Sequence, residues 1–341
     1  MSGLGPRARL AVLTVILLTA AGGAGGYIWR IRQHQPTPPG AATVAPARAD
    51  LAAVRAAPHV VFRNTAVGAD YGRVVMVPLA EPAAPRAVTP ATCDRVYATR
   101  DVGVCVAADR GLVTTSRAYL LGPDWAPRRD LPVVGLPSRA RLSRDGSLVA
   151  TTTFVHGDSY ATPGRFSTRT VVTRVNGEVV GDLEQFDLVV DGDVVTAVDR
   201  NLWGVTFADD DRFYATAASG GTTWLVEGSL AARRVTALRE DVECPSLSPD
   251  GTRLAFKRRG DLPAGRWRLA VYDLASGTET RLAETRSVDD QVEWLDDRTV
   301  IYGLPRGRPG TASSDVWSVP ADGRGTPVLL ITDAWSPAVV R

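Results

Sequence analysis

The chain has 341 residues, 45% hydrophobic and 22% charged, with 39 basic groups against 37 acidic ones for a net charge of +2. That balance, with no run of Lys or Arg outside the N-terminus, argues against a nucleic-acid partner. Three histidines (His34, His59, His156) and three cysteines (Cys93, Cys105, Cys244) leave little material for a zinc site, a Cys/His pair or a Ser-His-Asp triad.

Arg7 and Arg9 precede an apolar run from Leu10 to Trp29, and Arg30 and Arg32 close it. Twenty helical residues span about 30 Å, one hydrocarbon core, so residues 1–32 read as a membrane segment. A retained anchor and a cleaved signal peptide both fit. Tyr27 and Trp29, which suit the water interface, favour the anchor. No Cys follows the run, so no lipoprotein processing site is present. Residues 33–58 hold Pro36, Pro38, Pro39, Pro46 and Pro58 and read as a linker, with a short helix possible within Ala47–Ala57. The soluble character of the rest favours an exported body. The expected location is the cell membrane, single-pass, with the body on the extracytoplasmic side.

The body, residues 59–341, contains a repeat. Its clearest copy is Ser246-Leu247-Ser248-Pro249-Asp250-Gly251, followed by the apolar Leu254-Ala255-Phe256. Asp-Gly between apolar runs is a strong hairpin signal, because Gly accepts positive φ and Asp tolerates it. The phrase returns at Leu142–Ala150, at Phe207–Ala215, at Trp294–Tyr302 and, weakly, at Val96–Val104. Each copy is followed by a third and a fourth strand, and four antiparallel strands in about 40–45 residues make a propeller blade. With Val96, Leu142, Phe207, Leu247 and Trp294 as equivalent points, the steps are 46, 65, 40 and 47 residues. The long step holds an insertion, roughly Asp187 to Asn201. Trp335 lies 41 residues after Trp294 and opens a sixth copy that has no second strand of its own. His59–Arg63 looks like a second strand with no first. The predicted fold is therefore an all-β, six-bladed β-propeller whose C-terminal strand completes blade one and removes the open edges.

Ser248-Pro249-Asp250-Gly251 with Leu254-Ala255-Phe256 resembles the repeat of TolB-type propellers, distant relatives of WD-repeat propellers. The resemblance covers about Val60 to Val339. It implies a six-bladed toroid acting as a protein-interaction platform in the bacterial envelope. Catalytic members of that family usually carry a fused peptidase domain, and none is expected here. TolB proteins proper carry an additional N-terminal α/β domain, so a role in the Tol system itself is not expected.

Several residues admit two readings. Asp209-Asp210-Asp211 and Asp296-Asp297 offer clustered oxygens to calcium, but they fall on hairpin turns, where Asp is favoured for backbone reasons. The strand-borne tryptophans suit packing between blades better than ligand stacking. His156 has no partner motif, and no G-x-S-x-G elbow, H-E-x-x-H pair or phosphate-cradling loop occurs. No cofactor and no metal is expected, and the chain is not expected to be an enzyme. The candidate binding face comprises Arg200, Asn201 and Trp203 at the insertion's end, with Glu240, Asp289 and Asp290, which also precede first strands. A decorative insertion is the competing reading. Cys93 and Cys105 are symmetric about Thr99, so they are expected to face each other across a hairpin and form a disulfide, leaving Cys244 a free, buried thiol. The function expected is a protein-interaction or ligand-binding platform with a protein partner in the envelope; oligomeric state stays open. The alternative is a hydrolase or lyase with a pocket at the central channel.

Overall fold

The computed structural model describes residues 48–111, 114–157, 159–161, 164–307 and 313–341, together with residues 7, 14, 18, 19, 22 and 23. The chain divides into two units, Met1–Pro46 and Ala47–Arg341. In the first, the six described positions are helical. The expected membrane segment Leu10–Trp29 otherwise lies outside the described residues, as does residues 33–47 of the expected linker. Among the described residues no helix is long and apolar enough to cross a membrane.

The second unit is a six-bladed β-propeller. Blade two shows the plan: Arg95–Ala98 is innermost, then Gly103–Arg110, Thr114–Leu121 and Pro127–Leu131 run outward. Blade three is Leu136–Leu142, Leu148–His156, Ser167–Arg174 and Val179–Asp182; blade five is Glu243–Leu247, Arg253–Arg258, Arg268–Asp273 and Glu279–Arg281; blade six is Glu293–Asp296, Thr299–Pro305, Ser314–Pro320 and Val328–Ile331. Blade one takes its inner strand from the other end of the chain. Ala334–Val340 pairs antiparallel with His59–Asn64, which continues to Arg73–Pro78 and Ala87–Thr92. The closure expected from the sequence is the closure observed.

The repeat motif builds the hairpin between inner and second strands through the same bonds in two blades. In blade five, Asp250 Oδ1 accepts from Ser248 Oγ and from Thr252 N at 3.0 Å, and Gly251 takes φ +74°. In blade three, Asp145 Oδ1 accepts from Ser143 Oγ at 2.6 Å and Ser147 N at 3.0 Å, and Gly146 also has φ +74°. Short side chains that fold back onto turn backbone are the reason this Ser-x-Asp-Gly spelling recurs. The triple-Asp turn behaves the same way: Asp209 Oδ1 accepts from Asp211 N and Arg212 N. Core clusters sit between blades, as where Leu148 and Val172 of blade three pack on Leu202, Phe213 and Val226 of blade four. Trp203, Trp294 and Phe213 are at most 2% exposed.

Three findings depart from the sequence reading. First, the folded unit starts before His59. Asp50 caps a helix over Leu51–Arg55, and Val54 joins Val61, Val74 and Met76 of blade one in the core. Residues 48–58 are docked rather than serving as a spacer, because that helix carries an apolar side chain to bury. Second, the insertion does not stand on the rim as a whole. Asp187–Val190 pairs in parallel with Arg234–Glu240, the outer strand of blade four, and Asp193–Val194 adds a sixth strand to that sheet. Only its last residues return to the inner strand Asn201–Phe207. Third, Cys93 and Cys105 are bonded, with Cα atoms 5.5 Å apart, but they are not cross-strand partners. Val96 faces Cys105, and Cys93 precedes the strand, in the crossover from blade one. The turn spans Thr99–Val102, so the hairpin centre lies further along than Thr99. The disulfide thus ties the blade-one crossover to blade two.

Cys244 is free and fully buried. Peptide mapping under non-reducing conditions should find Cys93 linked to Cys105 and Cys244 alkylated only after unfolding. Replacing both bridged cysteines by Ser should cost about 3 kcal/mol in the chain-entropy picture of a short loop. A fully alkylatable native protein would contradict this assignment.

Candidate functional site

In a propeller, the loops leading into inner strands and those joining second to third strands share one face. A pocket of about 660 Å³ opens on that face between blades three, four and five. Blade three contributes Tyr160 and Phe166 from the loop after Leu148–His156. Blade four contributes Asp199, Asn201, Trp203 and the Ser219–Thr223 turn. Glu240 at the end of blade four's outer strand and Asp241 in the crossover follow, and blade five contributes Glu243 and the loop from Arg259 to Trp267.

Local irregularity places the floor. The inner strands of blades four and five both lose register, between Trp203 and Thr206 and between Glu243 and Ser246. These bulges meet each other. Gly204 has φ +66°, and a Cβ there would sit 2.6 Å from the Cα of Cys244, itself at φ +50°. Only glycine allows that approach. Trp203 and Glu243, just before the bulges, are thereby held at the pocket wall. Trp203 stacks on Tyr160 with centroids 5.0 Å apart, and Phe166 meets both rings edge-on.

Behind the floor lies a charged network in the channel. Lys257, the only lysine of the chain, is fully buried. Its ammonium lies 2.7 Å from Asp289 and 3.9 Å from Glu243, over the ring of Trp267 at 4.3 Å. Trp267 Nε1 donates to Glu243 at 2.6 Å. Arg139 reaches Asp289 at 3.4 Å, and Arg95 reaches Asp290 at 3.2 Å. Deeper still, Arg141 of blade three pairs with Glu293 of blade six, which also accepts from Tyr97 OH. Burial alone would raise Asp289, but Lys257 and Arg139 outweigh it and hold the carboxyl below its ordinary range. For Glu243 burial wins over Lys257 and Trp267, and its pKa is raised. Burial likewise keeps Glu293 raised against the pull of Arg141.

The pocket's outer loops are also pinned. Asp199 accepts from Ser219 Oγ at 2.6 Å and Gly220 N at 2.8 Å, which hold its pKa down. Asp241 accepts from Arg259 N and Gly260 N, both at 2.8 Å, and pairs with Arg258. Among the described residues no group of three or more His, Cys, Asp or Glu is placed to hold a metal ion.

Of the six residues expected on a binding face, Asn201, Trp203 and Glu240 line this one pocket. Asp289 and Asp290 lie on the same face but in the channel, bound to cations. Arg200 stays out: its guanidinium bonds to the carbonyls of Ala197 and Phe186 and secures the insertion. Sequence reasoning missed Tyr160, Trp267, Lys257 and the arginines. One signal was present. The residue preceding each equivalent point is Arg95, Arg141, Thr206, Ser246 or Glu293, a polar column that alternation turns toward the channel.

No family model matches the chain, and no curated protein matches it. Solved structures match its fold. TolB from Acinetobacter baumannii aligns with a TM-score of 0.57 at 17% identity, over 83% of this chain and 67% of that one. A chain of a nidogen/laminin complex aligns at 0.50 and 12% identity, over 83% and 98%. A puromycin-hydrolyzing peptidase of Mycobacterium tuberculosis reaches 0.47 at 17% identity, over 84% of this chain and 45% of the peptidase. At these identities the alignments with TolB and with the nidogen/laminin chain show a shared β-propeller fold alone.

Proposed function

We propose that the chain is a non-catalytic binding propeller, tethered to the cell membrane with its body outside the cytoplasm, and that the pocket between blades three, four and five receives its partner. One observation carries the reading. The channel carboxylates are spoken for: Glu243 by Trp267 and Lys257, Asp289 by Lys257 and Arg139, Asp290 by Arg95, Glu293 by Arg141. Groups held in such pairs make a rigid recognition floor and poor general acids or bases, which must exchange protons freely near neutral pH. The alignment with TolB supports an interaction role by analogy of fold alone. The Cys93–Cys105 disulfide supports an oxidising compartment.

The test places a photo-crosslinking residue at Val198, on the pocket rim, or at Asp210, in a hairpin turn on the opposite face, in the full chain within its native membrane. A discrete adduct from Val198 and none from Asp210 is expected, with the body accessible to protease added outside spheroplasts. Equal labelling from both positions, or protection of the body from protease, would overturn the reading.

A further inference from the structure

The pocket is acidic. Asp199, Glu240, Asp241, Glu243 and Asp261 line it against a single guanidinium, Arg259. Lys257 and Arg258 stand behind Glu243 and Asp241 and offset part of that charge. Glu240 and Asp261 are exposed and make no ion pair among the described residues. Their charge faces the pocket unneutralised. Hydrogen bonds hold Asp199 anionic as well. A low-dielectric floor beneath such a rim focuses the field, so the pocket concentrates cations.

A second feature points to a ligand independently of charge. Trp203 is 1% exposed and forms part of the pocket wall, and its indole N–H has no acceptor among the described residues. A buried donor without an acceptor is costly, and an acceptor brought by a ligand relieves it. Val198, fully exposed on the rim, and Phe166 on the wall add apolar surface between these polar groups.

We infer that the pocket receives an ammonium or guanidinium group on an apolar stem, with a carbonyl or hydroxyl oxygen nearby. This rests on the binding reading above and specifies its ligand. Two sources share the chemistry: an Arg or Lys side chain presented by a partner polypeptide, and a free organic cation.

Titration calorimetry on the full chain in detergent distinguishes them with defined probes: the peptide Gly-Gly-Arg-Gly-Gly, its citrulline counterpart, and argininamide, a free cation that carries a carbonyl oxygen. The arginine peptide or argininamide should saturate one site, with affinity falling as salt rises, and the citrulline peptide should bind about tenfold or more weaker, the factor given by about 1.4 kcal/mol. Tighter binding of the peptide assigns the side-chain source, and tighter binding of argininamide assigns the free cation. Glu240→Gln with Asp261→Asn should weaken either by about tenfold while leaving the melting temperature unchanged, since both side chains are exposed. Equal binding of the arginine and citrulline peptides, no saturation by any probe, or no effect of the double substitution would overturn the inference. A neutral partner crosslinked at Val198 would overturn it too, while leaving the binding reading intact.

Discussion

Removing Trp335–Arg341 is expected to lower the melting temperature of the propeller by about 10 °C or more, or to prevent folding. The segment supplies most of the inner strand of blade one, which is paired with His59–Asn64. Ala338, Val339 and Val340 are buried, and Val340 shares a cluster with Val61, Cys93 and Val96. Trp335 packs so closely that a Cβ at Gly303 would meet its ring at 2.4 Å, and Arg95 lies over that ring at 5.0 Å. Losing this burial costs about 5 kcal/mol before the exposed strand edge is counted. At roughly 2 °C per kcal/mol for a large domain, about 10 °C follows. The unpaired backbone of Val60 and Val61, both at 0% exposure, adds to the loss. A synthetic peptide of residues 332–341 added in trans should restore stability in a concentration-dependent way, as strand complementation requires. A truncated protein with an unchanged melting temperature would show that the ring does not close through this strand.

The second large effect is expected from Arg141→Met. Arg141 and Glu293 join opposite blades, with side chains 7% and 9% exposed. Arg141 also donates to Ser246 Oγ and the Val292 carbonyl and lies 4.6 Å over the Tyr97 ring. Deleting the cation strands the carboxylate in a dry site, at a cost of about 3 kcal/mol near neutral pH. The pH dependence has a definite sign. Glu293 already has a folded pKa above its unfolded value because of burial, and loss of Arg141 raises it further. A raised acid binds its proton more tightly when folded, so its favourable contribution is complete below the unfolded pKa and disappears as pH rises through the folded one. Urea denaturation should therefore show a smaller deficit at pH 5 than at pH 8. Arg141→Met with Glu293→Leu should recover most of the loss, because the pair is removed whole. A deficit equal at both pH values, with no recovery in the double variant, would mean that the pair carries little weight.

The blades were legible in the sequence because each is a local object. Ser-x-Asp-Gly folds through bonds that span five residues, and strand alternation reports one buried face, so both leave a pattern within a short window. The cysteine pair was legible as a pair, and its register was not. The turn Thr99–Val102 is not centred where symmetry about Thr99 put it, and a small shift in turn position re-pairs every residue of a four-residue strand. The insertion was visible as a break in spacing. That it adds a strand in parallel to the outer edge of blade four depended on the free edge of Arg234–Glu240, a partner nearly fifty residues downstream.

The sequence by itself determined the repeat, the number of blades and the closing strand. Each follows from hydrogen bonding and alternation among near neighbours. Only the tertiary structure decided the site. Tyr160, Trp203, Glu243 and Trp267 come from three blades and meet because the ring brings their loops to one rim. Lys257 and Asp289 meet because a buried ammonium has to find a carboxylate wherever the fold supplies one. Contacts of that kind depend on the curvature of the closed ring, which no local pattern encodes.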